Sequence, residues 1–222
     1  MSHVFTRQQH PLVFVITHWL NLLAMLFLTL SGFYIHYPIF PGGMGVARGT
    51  HFFWMFVLCI NLIVRIILAF VVKTSANADG TNVGMDVRNF VPQAENRGTF
   101  FATIAYYLFI RKTPAAKGKY NPLQKLAYIL TIPLTLLAAY TGFALWGPTS
   151  DWAFFQAGTE FFASLPLFNA SSGGDPIAIR IVHFWTMWAI LIFTFIHVYL
   201  ANLYGFAADR VMFAWQETTG DH

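Results

Sequence analysis

Charge is scarce in this chain. Of its 222 residues only 10% are charged, whereas 57% are hydrophobic and 18% aromatic. A water-soluble domain of that length needs far more charge to cover its surface, and the mean hydropathy of +0.56 agrees. Cysteine is nearly absent as well. The single Cys59 lies inside an apolar run, which excludes disulfides, Cys-ligated zinc and Cys-held iron–sulfur clusters within this chain. No cleavable signal peptide is evident, because the first apolar run, from about Leu12, is too long for an h-region and has no small-residue cleavage site after it. The formal charge of +4 and pI near 9.3 do not indicate nucleic acid, since the basic residues concentrate in loops beside apolar segments.

Long apolar segments are what the chain has in abundance. Four are long enough to cross roughly 30 Å of hydrocarbon: about Leu12 to Ile35, His51 to Val72, Gln124 to Trp146, and Ile177 to Tyr204. Trp19, Trp54, Trp146 and Trp185 lie toward segment ends, as an aromatic belt requires. Pro133 falls inside the third span, where a kink accommodates it. Arg7 precedes the first span and Arg210 follows the fourth, and Lys73, Arg88, Arg97, Arg111, Lys112, Lys117, Lys119 and Lys125 crowd the connection between spans two and three. The other connections hold only Arg48 and Arg180. Basic residues mark the cytoplasmic side, so both termini and the central loop are expected there. Within that loop, residues 97 to 112 read as an interfacial cytoplasmic helix. The outer loop holds an aromatic patch from Trp152 to Phe168, then the turn-forming run Ser171 to Pro176. Neither loop reads as a separate domain. The expected fold is an all-α membrane protein, one domain over residues 1–222.

Ionisable side chains inside hydrocarbon are costly and mark function. His3, His10 and His222 lie outside the spans and His36 at the outer end of the first, which leaves His18, His51, His183 and His197. His18 is near the cytoplasmic end of span one and His51 opens span two from the outer side. His183 and His197 are 14 residues apart on span four, about 21 Å along the helix and about 40° around it. Depth thus sorts the four into an outer pair, His51 with His183, and an inner pair, His18 with His197. Two imidazoles on facing helices fill both axial positions of a haem, the low-spin arrangement suited to electron transfer. Two haem b groups are therefore expected in a four-helix diheme bundle. A proton relay or zinc site is the rival, but the spans offer no clustered carboxylates to support it. A haem-free anchor or transporter is a further alternative, which predicts no Soret band.

Arg65 lies 14 residues beyond His51, at the inner level on the same face. It suits either a propionate of the inner haem or snorkelling to the cytoplasmic headgroups. Gly32 and Gly142 would let a flat macrocycle approach the backbone, or serve helix–helix packing.

The chain resembles the cytochrome b subunits of membrane-bound nickel–iron hydrogenases, a family shared with formate dehydrogenase gamma subunits. The likeness rests on Thr17-His18-Trp19, Leu30-Ser31-Gly32, Arg48 before His51, the run Gly118-Lys119-Tyr120-Asn121-Pro122-Leu123-Gln124-Lys125, Thr141-Gly142, Val182-His183 and Ile196-His197-Val198-Tyr199. The Asn61 to Ile66 stretch and Tyr106-Tyr107-Leu108-Phe109 resemble the hydrogenase branch, whereas Leu123 stands where the formate dehydrogenase subunits have glycine. The resemblance implies a bacterial inner-membrane subunit with two b haems. It takes electrons from the iron–sulfur (small) subunit beside a catalytic large subunit, and reduces a quinone (menaquinone or ubiquinone) bordered by Asn121 and His197. Service to a formate dehydrogenase or other molybdenum oxidoreductase, or life as a stand-alone diheme cytochrome, are the alternatives.

Overall fold

The computed structural model describes residues 6–77, 80–92, 94–113, 120–168, 176–202 and 207–217. His3, His222, Lys117, Gly118, Lys119, Ser171 to Asp175 and Tyr204 lie outside the described residues. The chain divides into two compact units, Met1–Leu126 with Val198–His222, and Ala127–His197.

Four helices are long and apolar enough to cross a membrane: α1 (Leu12–His36), α2 (Met44–Val71), and two introduced below. In the first unit α1 and α2 form an antiparallel hairpin whose register can be followed along its length. Ser31 meets His51, Phe27 stacks on Trp54 with ring centroids 4.7 Å apart, and Asn21 meets Asn61. At the far end the Arg65 guanidinium lies 4.0 Å over the Phe14 ring. α2 begins seven residues before the expected start at His51. The glycines of Gly42-Gly43-Met44-Gly45 and Gly49 interrupt the apolar pattern, yet only Gly42 turns the chain, at φ 91°. Helical bonding is under way from Gly43, whose carbonyl accepts from the Ala47 N–H at 2.9 Å. His51 is consequently held two turns inside the helix.

The connection after α2 folds into a small polar cap. Strands β1 (Lys73–Ser75) and β2 (Val83–Met85) pair antiparallel, Thr74 opposite Gly84, and a 3₁₀ turn follows over Asp86–Asn89. Asp86 is 0% exposed. Its carboxylate accepts from Arg65 Nη2 at 2.8 Å, Thr74 Oγ1 at 3.0 Å and Asn89 Nδ2 at 3.2 Å. The cap thereby ties itself to the last turns of α2. Helix α3 (Phe100–Tyr107) is shorter than the expected span of 97 to 112. It closes where Phe109 takes a left-handed φ of 61° and the Ile110 N–H reaches back to the Ala105 carbonyl at 2.9 Å, a Schellman-type stop.

α4 (Pro122–Leu145) continues across Pro133 and is followed by the short α5 (Gly147–Ser150) and by α6 (Ala153–Ser164). α7 (Ile177–Asn202) is the fourth spanning helix, and α8 (Ala207–Ala214) closes the described chain. In the second unit Ala144, Phe155 and Ile179 form the core that joins α4, α6 and α7. The Tyr140 hydroxyl donates to the Phe154 carbonyl at 2.7 Å, with its ring lying where a Cβ on Gly158 would stand. α8 returns to the first unit. There Phe213 meets Trp19 edge-on at 4.7 Å and Trp215 Nε1 donates to the His10 carbonyl at 3.2 Å.

The distribution of polarity is that of a protein in lipid. Thr17, Ser31, Asn61, Thr141 and Thr186 are buried, while Leu30, Ile63, Phe70, Leu136 and Phe195 are exposed. Small and polar residues let helices approach and bond where hydrocarbon cannot drive association.

Breaking the Arg65–Asp86 pair tests the cap. Arg65→Ala leaves a wholly buried carboxylate without its counter-charge and is expected to cost roughly 2–4 kcal/mol, read as a lowered melting temperature of the detergent-solubilised protein. Adding Asp86→Asn should recover part of that loss, because the amide needs no counter-charge.

Candidate functional site

His51 on α2 lies against α1. Its Nδ1 is 3.0 Å from Ser31 Oγ, and Ser31 Oγ is also 2.5 Å from the Phe27 carbonyl oxygen and 3.2 Å from that of Leu28. A hydroxyl has one proton and a carbonyl can only accept. The Ser31 proton therefore goes to the backbone, and its oxygen accepts from His51 Nδ1–H, while the ring also hydrogen-bonds the Leu28 backbone. Gly32 makes the approach possible, since a Cβ there would already touch His51 Cε1 at 3.4 Å. An apolar cavity of about 340 Å³ opens beside Ser31, lined by Phe27, Leu30, Tyr34, Ala47 and Thr50 among others.

His183 on α7 repeats the arrangement against α4. Its Nδ1 is 2.8 Å from Thr141 Oγ1, and Thr141 Oγ1 is 2.7 Å from the Leu137 carbonyl oxygen and 3.2 Å from that of Ala138. The same count of protons makes His183 Nδ1 the donor. With Nδ1–H held by an acceptor in both histidines, Nε2 is the atom of each ring suited to ligate a metal.

His18 sits at the opposite end of the α1–α2 hairpin from His51. Asn61 clamps α1 around it, donating from Nδ2 to the Thr17 carbonyl at 2.8 Å and to Asn21 Oδ1 at 2.6 Å. His197 lies 14 residues further along α7 than His183, its ring centroid 5.9 Å from Phe193 and 6.0 Å from Tyr128. Each unit thus holds one histidine at each end of a helix pair. Among the described residues no three His, Cys, Asp or Glu side chains come together as a metal-binding group.

Arg65 has a protein partner that sequence reasoning missed. Asp86, 21 residues on, binds its Nη2, and Arg65 itself is 28% exposed. Asn121 also has defined work. Its Oδ1 accepts from the Gln124 N–H at 2.8 Å while Gln124 Oε1 accepts from the Asn121 N–H at 3.0 Å. This reciprocal capping box, with Pro122 at the first helical position, starts α4. Asn121 Nδ2 further donates to the Tyr107 hydroxyl at 2.8 Å, and Lys125 Nζ donates to the Val91 carbonyl at 2.8 Å. In the sequence Ser31 and Thr141 stand out only as members of the short motifs Leu30-Ser31-Gly32 and Thr141-Gly142. The available signal was the repeated pairing of a small hydroxyl with a following glycine, on the span next to each outer histidine.

Four spanning helices with imidazoles fixed inside them define a membrane protein of the helical cytochrome type. The chain belongs to the prokaryotic cytochrome b561 family, whose model matches residues 9–214. A protein of Escherichia coli (strain K12) named a probable Ni/Fe-hydrogenase 1 B-type cytochrome subunit is 29% identical over 197 residues, covering 84% of this chain and 78% of that protein. A protein of Rhizobium leguminosarum bv. viciae named a probable Ni/Fe-hydrogenase B-type cytochrome subunit is 30% identical over 200 residues, 84% of this chain and 76% of that one. A protein of Azospira oryzae named as subunit YedZ1 of a protein-methionine-sulfoxide reductase is 27% identical over 208 residues, 87% and 90% of the two chains. The chain is a multi-pass protein of the bacterial inner membrane, and a cytochrome b implies haem b. The donor chemistry of His51 and His183 fits that group, because in each ring Nδ1 faces a hydroxyl oxygen and Nε2 is the nitrogen left to face a metal.

Gly32 provides a steric test of this site. Gly32→Ala should be tolerated, since its methyl would make ordinary contact with His51, whereas Gly32→Ile should displace the ring. Absorbance at the Soret band per mole of purified protein should fall for the isoleucine variant alone.

Proposed function

We propose that this chain is the diheme b-type cytochrome anchor of a periplasmic nickel–iron hydrogenase, passing electrons from the hydrogenase iron–sulfur subunit to the quinone pool. The observation that carries the reading is the matched hydroxyl–imidazole bond on two separate helix pairs, Ser31 to His51 and Thr141 to His183. The names of the Escherichia coli and Rhizobium relatives supply the partner. Basic residues in the central loop support cytoplasmic termini and a periplasmic face at the 37–43 and 146–176 connections.

Haem b held by two imidazoles supplies a one-electron ferric–ferrous couple with no open coordination position. His51 and His183 form the outer ligand pair, and His18 and His197 the inner pair. Their assignment follows from depth and from the 14-residue spacing on α7. Asn61 holds the turn of α1 that bears His18, and Phe193 and Tyr128 flank the His197 ring. Quinone reduction belongs near Asn121 and His197, as the resemblance implies. The capping role of Asn121 is compatible with this, since it fixes the start of α4 at the cytoplasmic side. Arg65, one of whose donors is engaged by Asp86, retains four other N–H donors for a propionate. Menaquinone and ubiquinone are both open as acceptors.

A second reading is favoured by the YedZ1 relative, whose name is that of a protein-methionine-sulfoxide reductase subunit: membrane subunit of another oxidoreductase, the class to which the formate dehydrogenase and other molybdenum-enzyme alternatives from the sequence also belong. Mild detergent purification followed by mass spectrometry of co-purifying chains separates the two, since hydrogenase small and large subunits are expected only under the first. The haem assignment has its own test. His183→Ala should reduce haem content from two per chain to one, measured as the pyridine haemochrome, and retention of two would sink the pairing.

A further inference from the structure

We propose that Ser31 and Thr141 are positioning residues that set the reduction potential of the iron held by His51 and His183. This rests on the reading of those histidines as axial ligands.

Each hydroxyl lies on a helix other than the one that bears its histidine. Ser31 of α1 holds His51 of α2, and Thr141 of α4 holds His183 of α7. Both hydroxyls also give their own proton to the carbonyl four residues back, Phe27 and Leu137. Donation in that direction polarises the oxygen and strengthens it as an acceptor. A stronger acceptor on Nδ1–H draws the proton away from the ring and makes Nε2 a better electron donor. Greater donation to iron stabilises the ferric state over the ferrous state, which lowers the potential.

A simpler role would be satisfaction of a buried N–H that has no water to bond. That role predicts lost stability on removing the hydroxyl, with no preference between oxidation states. The donor-tuning role predicts a preference. The recurrence of the device with different residues, Ser in one unit and Thr in the other, favours selection for the hydroxyl oxygen over one local packing solution. Two such bonds on the two ligands of one iron act in the same direction.

The test uses the full chain purified with its haems. Ser31→Ala and Thr141→Val are titrated electrochemically while the low-spin ferric electron paramagnetic resonance signals are followed. Each variant should shift the ferric-to-ferrous ratio of the same haem toward ferrous by about tenfold at fixed poise, about 59 mV upward for one electron. The other haem should keep its potential. Ser31→Thr and Thr141→Ser, which retain the hydroxyl, should match the unaltered protein. Loss of that haem in Ser31→Ala with recovery in Ser31→Thr would also support positioning. Unchanged potentials in both hydroxyl-free variants, with both haems retained, would overturn the proposal, as would an equal shift in the hydroxyl-preserving variants. Retention of two haems in His183→Ala would instead overturn the ligand assignment beneath it.

Discussion

An N–H group inside hydrocarbon has no water to bond to, so the protein must provide its acceptor or bear a penalty of several kcal/mol. For His51 and His183 a hydroxyl on a neighbouring helix serves as an acceptor, and that requirement reaches well beyond the two rings. It fixes the register of α1 against α2 at Ser31 and of α4 against α7 at Thr141. Stacking of Phe27 on Trp54 and the double donation from Asn61 continue the first register along the hairpin. The Tyr128–His197 contact continues the second. A sliding step of one residue would turn each imidazole away from its hydroxyl by about 100°, so the polar bond and the helix packing specify one another.

The features that follow from periodicity and hydropathy were legible in the sequence. Span positions depend on runs of Leu, Ile, Phe and Val, which length alone identifies, and the observed ends of α4 and α7 lie within two residues of expectation. The start of α2 was obscured because Gly43, Gly45 and Gly49 look like breakers, although glycine is tolerated in membrane helices. The four histidines stood out because an ionisable group in hydrocarbon is rare. Their hydroxyl partners did not, since Ser and Thr in spans bond ordinarily to their own helix, as Thr186 does to Val182. Asp86 was invisible for a different reason. It is one acid in a polar loop, and only the folding of β1 and β2 brings it to Arg65. Asn121-Pro122-Leu123-Gln124 could have been read as a capping box, but its place in a family motif drew attention to a ligand instead.

Two kinds of polar interaction divide the first unit by the environment each can bear. The ion pair of Arg65 with Asp86 lies at the end of α2, where Arg65 stays partly exposed and Thr74 and Asn89 supply further bonds to the carboxylate. A buried ion pair stabilises only when its remaining hydrogen-bonding capacity is met, and the cap exists in that form. Among the described residues no such loop structure bonds a charge toward the other end of the hairpin. The group used there is an imidazole, His51, whose Nδ1 meets the Ser31 hydroxyl.

That contrast bears on why a histidine–hydroxyl bond, and not a histidine–carboxylate bond, occurs in these helices. A carboxylate would be the stronger acceptor for Nδ1–H, but in hydrocarbon it would need a cation and several further donors to remain ionised. A hydroxyl needs only a carbonyl four residues back, which every helix already provides, and both Ser31 and Thr141 take it. The helix backbone thereby completes the environment of the ring without adding a charge. The resulting acceptor is weaker than a carboxylate and stronger than an isolated hydroxyl. The acceptor that each imidazole meets is consequently set by a choice the bilayer itself constrains.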